Sequence, residues 1–407
     1  MMTPAAETLG VRHSADDPTG RQEMAACAGL TGRHVYLPTE IVHIIFTYIQ
    51  ELPDAPKILS SCCLVSRQWC SIATPLLYRE PRIGHRNFAA FAAAFVSPNR
   101  PRSQKSDLGQ YVRRLDLSEL VHHSTVAVTA KLLQNVRPGL EVFIAPAYSL
   151  SSINLISISK CLNLQILDLS VVLVEFTLDE VKTATKNLAN LKRLRLPRAT
   201  SLTLSANEIP WPPNLLSLQF GGANPAEIDH FAEQFSWPES LTSLTLHGCK
   251  RLTPESIPAI LGSPILQQNL RRLRVTTESN VMHFRFMADL VHFIPKVKFL
   301  SLPGSDINST VIPEMETLNK KLDLEVIELG PSAVAWTFPI NAFKRALKSS
   351  LVKLRYLRFQ ETHHASLMYD NCEEEVDNAL MENARRAGYD QTKLETGEIL
   401  TGCYVYS

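Results

Sequence analysis

The chain has 407 residues but no run approaching the ~20 consecutive apolar residues that a membrane-crossing helix needs. Between Met1 and His34 there is no basic start followed by an apolar core, so no secretory signal is read there. Asp16 and Asp17 argue against a mitochondrial presequence. Net charge is only +1, which implies no global pull toward nucleic acid or a membrane surface. Cysteine is sparse and scattered (Cys27, Cys62, Cys63, Cys70, Cys161, Cys249, Cys372, Cys403). That excludes a disulfide framework and fits reduced thiols in cytosol or nucleus. There is no Gly-rich phosphate loop, no Gly-x-Ser-x-Gly elbow and no His-Glu-x-x-His. Cys62, Cys63 and Cys70 lack a second pair at zinc spacing. The doublets His122-His123 and His363-His364 stand alone and are read as solvated or capping residues. No catalytic residue, metal or cofactor is therefore expected. Asn308-Ser309-Thr310 is read as a chance glycosylation sequon.

What the sequence does contain is a repeat. An apolar-x-x-apolar-x-apolar pattern recurs ten times. It reads Val112-Leu115-Leu117, Leu140-Phe143-Ala145, Leu164-Leu167-Leu169, Leu191-Leu194-Leu196 and Leu215-Leu218-Phe220. It continues as Leu241-Leu244-Leu246, Leu270-Leu273-Val275, Val297-Leu300-Leu302, Leu324-Ile327-Leu329 and Leu354-Leu357-Phe359, with starts 24 to 30 residues apart. Between these, 179–191, 226–235, 281–294 and 341–351 place apolar residues at helical spacing. One strand and one helix per repeat bury their apolar sides only by stacking on neighbours, which makes a continuous core and a curved parallel sheet. An ordinary α/β domain with leucine-rich strands is the alternative. The pattern resembles leucine-rich repeats of the ribonuclease-inhibitor-like kind over about 250 residues. It departs from them where Val172, Ala199 and Ala223 replace the polar residue after the last leucine; Cys249 is the one good match.

The segment before the repeats is helical in pattern. Leu37-Pro38-Thr39-Glu40 opens a helix whose proline costs no hydrogen bond in the first turn and whose glutamate complements the helix dipole. That helix is apolar on two sides, Ile41, Ile45 and Tyr48 on one and Val42, Phe46 and Ile49 on the other. So short a module buries one side by itself; the other must meet neighbouring repeats or a partner. Further helices are expected over 55–64 and from about Ser66 to Tyr78. The ordered set Leu37-Pro38, Glu40-Ile41, Ile45-Phe46, Leu64-Val65 with Trp69, and Leu77-Tyr78 resembles the F-box. The 51–57 insert is slightly long for that family and looks typical of fungal members. The resemblance implies docking on the SKP-family adaptor of a cullin-based SCF ubiquitin ligase through Leu37, Pro38, Ile41, Ile45, Leu64, Val65 and Trp69. The bland alternative is a capping helical hairpin for the repeats.

In such a sheet the residues flanking the second pattern position point outward. Arg193 with Arg195, and Arg272 with Arg274, then project from two strands, with Phe299, Tyr356 and Arg358 nearby. The two pairs stand three strands apart, roughly 15 Å. Guanidinium with an exposed aromatic suits an acidic or phosphorylated peptide. The alternatives are a solvated face or pairing with the C-terminal segment, whose 361–407 holds ten acidic against three basic residues.

The expected organisation is α/β: a disordered 1–34, a three-helix F-box module over 35–83, a linker over 84–110, a solenoid of about ten repeats with a parallel concave sheet over 111–362, and an acidic cap or tail over 363–407. The expected function is a substrate receptor in a ubiquitin ligase, cytoplasmic or nuclear. It would bind the adaptor and a protein substrate, and neither nucleic acid nor membrane. A repeat scaffold with no ligase role, and an enzyme or GTPase regulator on the same repeats, are the other readings.

Overall fold

The computed structural model describes residues 37–96, 107–120, 124–202, 204–222, 235–248, 256–276, 292–293, 295–304, 311–318, 320–331, 338–360 and 373–406. The expectations for 1–34, for the polar stretch 97–106, for Cys249, for the sequon and for both histidine doublets lie outside the described residues. So do nearly all of the helices expected over 226–235 and 281–294. The chain divides into two compact units, Met1–Ile72 and Ala73–Ser407.

The described residues of the first unit are mostly helical. Pro38 sits at the N-cap of α1 (Thr39–Gln50) rather than inside its first turn, and the amides of Ile41 and Val42 bond its carbonyl at 3.1 and 3.2 Å. Val42 and Phe46, one turn apart, are fully buried. Helix α2 (Ala55–Cys62) turns Ala55, Leu59 and Cys62 inward. Helix α3 (Arg67–Arg79) starts where the Ser66 hydroxyl accepts the Trp69 amide at 3.2 Å. Trp69 meets Phe46 edge-on, with centroids 5.4 Å apart. The amide of Gln68 donates to the Leu37 carbonyl at 3.0 Å and to the Thr39 hydroxyl at 3.2 Å, tying the start of α1 to α3.

The second unit is built on the repeat. All ten pattern segments are strands of one eleven-stranded sheet. They are β1 (Arg114–Asp116), β2 (Val142–Ile144), β3 (Ile166–Asp168), β5 (Arg193–Arg195), β7 (Ser217–Gly221), β8 (Ser243–His247), β9 (Arg272–Thr276), β10 (Phe299–Pro303), β11 (Val326–Gly330) and β12 (Tyr356–Gln360). Every neighbouring pair is parallel. The central apolar residues align without a slip, Leu115 with Phe143 and onward through Leu194, Leu244 and Leu300 to Leu357. A one-residue slip would turn this whole set to solvent, which is why burial fixes the register. A second small sheet pairs β4 (Phe176–Thr177) with β6 (Thr200–Ser201).

Helices link the strands. Residues 88–96, within the span expected as linker, form α4 (Phe88–Val96), an alanine-rich helix of high intrinsic propensity whose Phe88 joins the core. Then follow α5 (Val126–Val136), α6 (Ser152–Ile158), α7 (Leu178–Thr185), α8 (Ser256–Leu261), α9 (Pro264–Asn269), α10 (Ile312–Thr317) and α11 (Ile340–Lys348). Thr177 and Glu180 form a capping box that sets the start of α7.

Two features go beyond the sequence reading, an eleventh strand from the C-terminal segment and a ladder of side chains. The acidic C-terminal segment contributes α12 (Glu373–Arg386), α13 (Gln391–Glu395) and an eleventh parallel strand, β13 (Gly402–Tyr406), paired along its length with β12. Asn383 on α12 donates to the carbonyls of Leu347 and Leu351, which docks that helix on the end of α11. The second feature is a polar ladder. Asn163, Asn190, Asn214 and Asn269 stand directly before the first leucine of their repeats. Each side-chain amide donates to a backbone carbonyl of the preceding repeat: Pro138, Leu162, Ala189 and Glu239, at 2.7 to 3.0 Å. Ser240 takes the same place in its repeat and donates to Pro213 at 3.2 Å. This side-chain-to-backbone ladder stands before the first leucine of the pattern, not after the last.

Candidate functional site

Two surfaces carry the residues singled out by the sequence, and each belongs to one unit. On the helical unit the two sides of α1 have opposite fates. Val42 and Phe46 are buried, while Ile41, Ile44 and Tyr48 are exposed, and Leu52 just past the helix is exposed too. The spacing 41, 44, 48 keeps those three side chains on one face of α1. In the turn before α3, Leu64 is 88% exposed and Val65 63%. Six large apolar residues in so small a unit form a surface for which water is a poor partner. Of the expected contact residues, Pro38, Ile41, Leu64 and Val65 are exposed, and Leu37, Ile45 and Trp69 are half-buried. Trp69 also has an internal role against Phe46. Ile44, Tyr48 and Leu52 were not named as contacts from the sequence, although their spacing was there to be read.

On the sheet, the outward columns run as expected. Arg193 aligns with Ser217, Ser243, Arg272, Phe299, Val326 and Tyr356 across successive strands; Arg195 aligns with Gln219, Thr245, Arg274, Ser301, Glu328 and Arg358. The arginines are not equivalent. Arg195 donates to Asp168 at 2.7 Å, and that nearly buried carboxylate also accepts from the Ser170 amide and hydroxyl. Arg274 reaches both oxygens of Glu328 at 3.1 Å, and Arg358 lies 3.7 Å from the same carboxylate. Arg193 and Arg272 have no carboxylate partner among the described residues; Arg272 lies over the Phe299 ring at 4.7 Å. Tyr356 stacks on Tyr404 of β13 at 4.9 Å, and Arg358 lies 4.3 Å over Tyr406.

A shallow depression of about 670 Å³ joins the two arginine pairs. Its lining adds Lys192 and Arg271, which sit one residue before their strands and were missed from sequence because only strand positions were read. Glu325, also in the lining, is already engaged. Lys298 donates to it at 2.8 Å and Tyr389 at 2.7 Å, and Arg355 lies 3.7 Å away. Burial alone would raise the Glu325 carboxyl, but the bonds from Lys298 and Tyr389 hold it below the ordinary carboxylate range.

Residues 35–83 match the F-box-like family model. The chain is 30% identical over 251 residues to the F-box protein YDR306C of Saccharomyces cerevisiae, an alignment covering 58% of this chain and 50% of that protein. It is 24% identical over 281 residues to Protein pof5 of Schizosaccharomyces pombe, covering 68% of this chain and 77% of the relative. The chain thus carries an F-box-like domain and is homologous to an F-box protein. Its match spans half the length of YDR306C and about three quarters of pof5. Among the described residues no helix is long and apolar enough to cross a membrane.

Proposed function

We propose that the chain is the substrate-recognition subunit of an SCF-type cullin ubiquitin ligase, with the 35–83 module docking a SKP-family adaptor and the repeats over 111–362 holding a protein substrate. The observation that carries it is the coincidence of the F-box-like match with an unburied apolar face on the same helices. In this reading Leu37, Pro38, Ile41, Ile45, Leu64, Val65 and Trp69 contact the adaptor, joined by Ile44, Tyr48 and Leu52. Substrate is held by the outward face, in the neighbourhood of Arg193, Arg195, Arg272, Arg274, Phe299, Tyr356 and Arg358. Ubiquitin transfer then falls to other subunits, so the chain acts as a receptor and needs no nucleophile, metal or cofactor of its own. Its place of work is the cytoplasm or nucleus.

The test is co-purification of the SKP-family adaptor with the full chain and with a Leu64→Asp, Val65→Asp variant. Both side chains are exposed, so folding is unaffected. Hot-spot anchors of this kind cost about 2 kcal/mol or more when lost, so adaptor capture should drop by tenfold or more. Capture undiminished by the double variant, or absent from the unaltered chain, would leave a repeat scaffold with no ligase role.

A further inference from the structure

The outward face of the sheet has two chemically distinct stretches. From β5 to β9 it is cationic. The depression begins there and runs on past Phe299 of β10 and Val326 of β11 to Arg355; it is lined by eight lysines and arginines and one carboxylate, Glu325, which is neutralised by its own neighbours. Arg195 and Arg274 are likewise matched by Asp168 and Glu328. Two cationic doublets have no carboxylate partner among the described residues, Lys192 with Arg193 and Arg271 with Arg272; Arg271 donates to the carbonyls of Gln268 and Leu270 at 3.0 and 3.1 Å, which leaves its charge unneutralised. Between them lie Ser217, Ser243, Gln219 and Thr245, uncharged and able to hydrogen-bond. From β10 to β13 the column that contains Arg272 turns apolar: Phe299, Val326 and Tyr356 follow one another on adjacent strands. Gly402, the next partner in register, has no side chain, and the Tyr404 ring stacks on Tyr356 instead.

We propose that this face binds a linear peptide segment that crosses the strands, with carboxylate side chains over the two cationic doublets and a large apolar side chain on the Tyr356–Tyr404 stack. The proposal rests on taking the sheet face as the substrate side and specifies what that substrate must carry. Charge complementarity selects the acidic part, since a cationic depression whose internal carboxylates are all engaged attracts anions from outside. The face also shows which anion fits it. Its matched guanidiniums are matched by single carboxylates, Arg195 with Asp168 at 2.7 Å and Arg274 with Glu328 at 3.1 Å. A ligand aspartate or glutamate repeats that pairing at Arg193 and Arg272. The apolar part follows from the open Tyr404, an aromatic platform next to charge of the kind that anchors interfaces.

Geometry fixes the spacing. Adjacent strands lie about 4.8 Å apart, so the doublets on β5 and β9 are roughly 15 Å apart, and the tyrosine stack lies roughly 15 Å beyond β9. An extended peptide advances about 3.3 Å per residue, so the two acidic positions are separated by about four to five residues and the apolar one follows at the same interval.

The test uses the full chain and a fluorescein-labelled twelve-residue peptide. It has an Asp-Glu pair at its start, a second pair five residues on and a leucine five residues after that, joined by Gly-Ser spacers. Saturable binding by fluorescence anisotropy is expected, weakening as salt rises because exposed charge pairs are screened. Arg193→Glu with Arg272→Glu should weaken it by about tenfold or more while leaving the circular-dichroism signal intact, since both side chains are exposed. Tyr404→Ser should weaken it about threefold or more with an unchanged salt slope, and replacing the peptide leucine by serine should do the same. No binding, binding indifferent to the arginine reversals, or binding confined to a phosphoserine version of the peptide would overturn the proposal. Adaptor co-purification is scored on the same preparations. It judges the receptor reading alone, so the two can fail separately.

Discussion

The helical unit and the sheet unit handle their leftover surface in opposite ways. In the helical unit Ile41, Ile44, Tyr48, Leu52, Leu64 and Val65 are apolar and remain 43 to 88% exposed. In the sheet unit the inward leucines are buried almost without remainder, and the outward face is polar from β5 to β9 and carries one apolar column beyond it, with most of its charges already paired. Apolar exposure is the costlier state in water, so the first surface gains free energy from almost any good fit. The second gains only from a ligand that outdoes water and the existing ion pairs. One surface is suited to a constant partner, the other to a selective one.

That contrast can be broken most forcefully with one substitution made in both units. Leu244→Asp places a carboxylate in the stacked core and should cost more than about 4 kcal/mol, destroying the cooperative transition across neighbouring repeats in urea denaturation followed by circular dichroism. Leu64→Asp, the same chemical change on the exposed apolar turn, should stay within about 0.5 kcal/mol of the unaltered chain. Comparable losses would mean that the turn is structural and that the contrast is false.

A second test asks whether the sheet unit's interior tolerates charge. Lys182 is buried, donates to the Ala206 carbonyl at 2.6 Å and lies 4.5 Å from the Trp211 ring. Burial pushes its pKa down to about 8 from 10.5. Between those values the unfolded chain holds more protons than the folded one, so folding stability rises with pH through that window. Below about pH 8 the full penalty of a buried cation is present. Lys182→Met removes the titration, so its thermal-unfolding midpoint relative to the unaltered chain should fall as pH rises from 7 to 10. A constant difference would show that Lys182 is not buried as a cation.

The smallest expected effect concerns Glu325, whose bonds to Lys298 and Tyr389 cross three neighbouring elements. Its pKa is held below the ordinary 4.5, so its contribution is complete above that value and is lost as pH falls through the lower, folded one. Glu325→Gln should cost about 1 kcal/mol at neutral pH, and the difference should vanish in acid. An unchanged difference at low pH would show that the carboxylate's charge is not what the sheet face uses.

The repeat made the sheet readable in advance. Period and leucine spacing together specify strand positions, direction and register, because only one alignment buries every leucine. Helix positions were less legible. The helix expected over 179–191 ends at Thr185, and Leu188 and Leu191 are buried by the turn that follows rather than by helix. Strand β13 escaped notice because Gly402-Cys403-Tyr404-Val405-Tyr406 lacks the leucine pattern and lies in an acidic stretch; it is held by pairing with β12 and by Asp377, which accepts the Cys403 amide. At the sheet face the sequence supplied the columns but not the pairing. Asp168 and Glu328 decide which arginines are free, and which neighbour a side chain turns to is set by the fold.

The asparagine ladder bears on how the array comes together in time. Asn163, Asn190, Asn214 and Asn269 all donate backward, each to a carbonyl of the repeat synthesised before it. None waits for a partner still to be translated. A chain emerging from the ribosome at about 5–20 residues per second delivers a repeat of this length every few seconds, and its asparagine finds the acceptor already in place. The array can therefore grow by one closed layer at a time, with only the newest leucine row open to water.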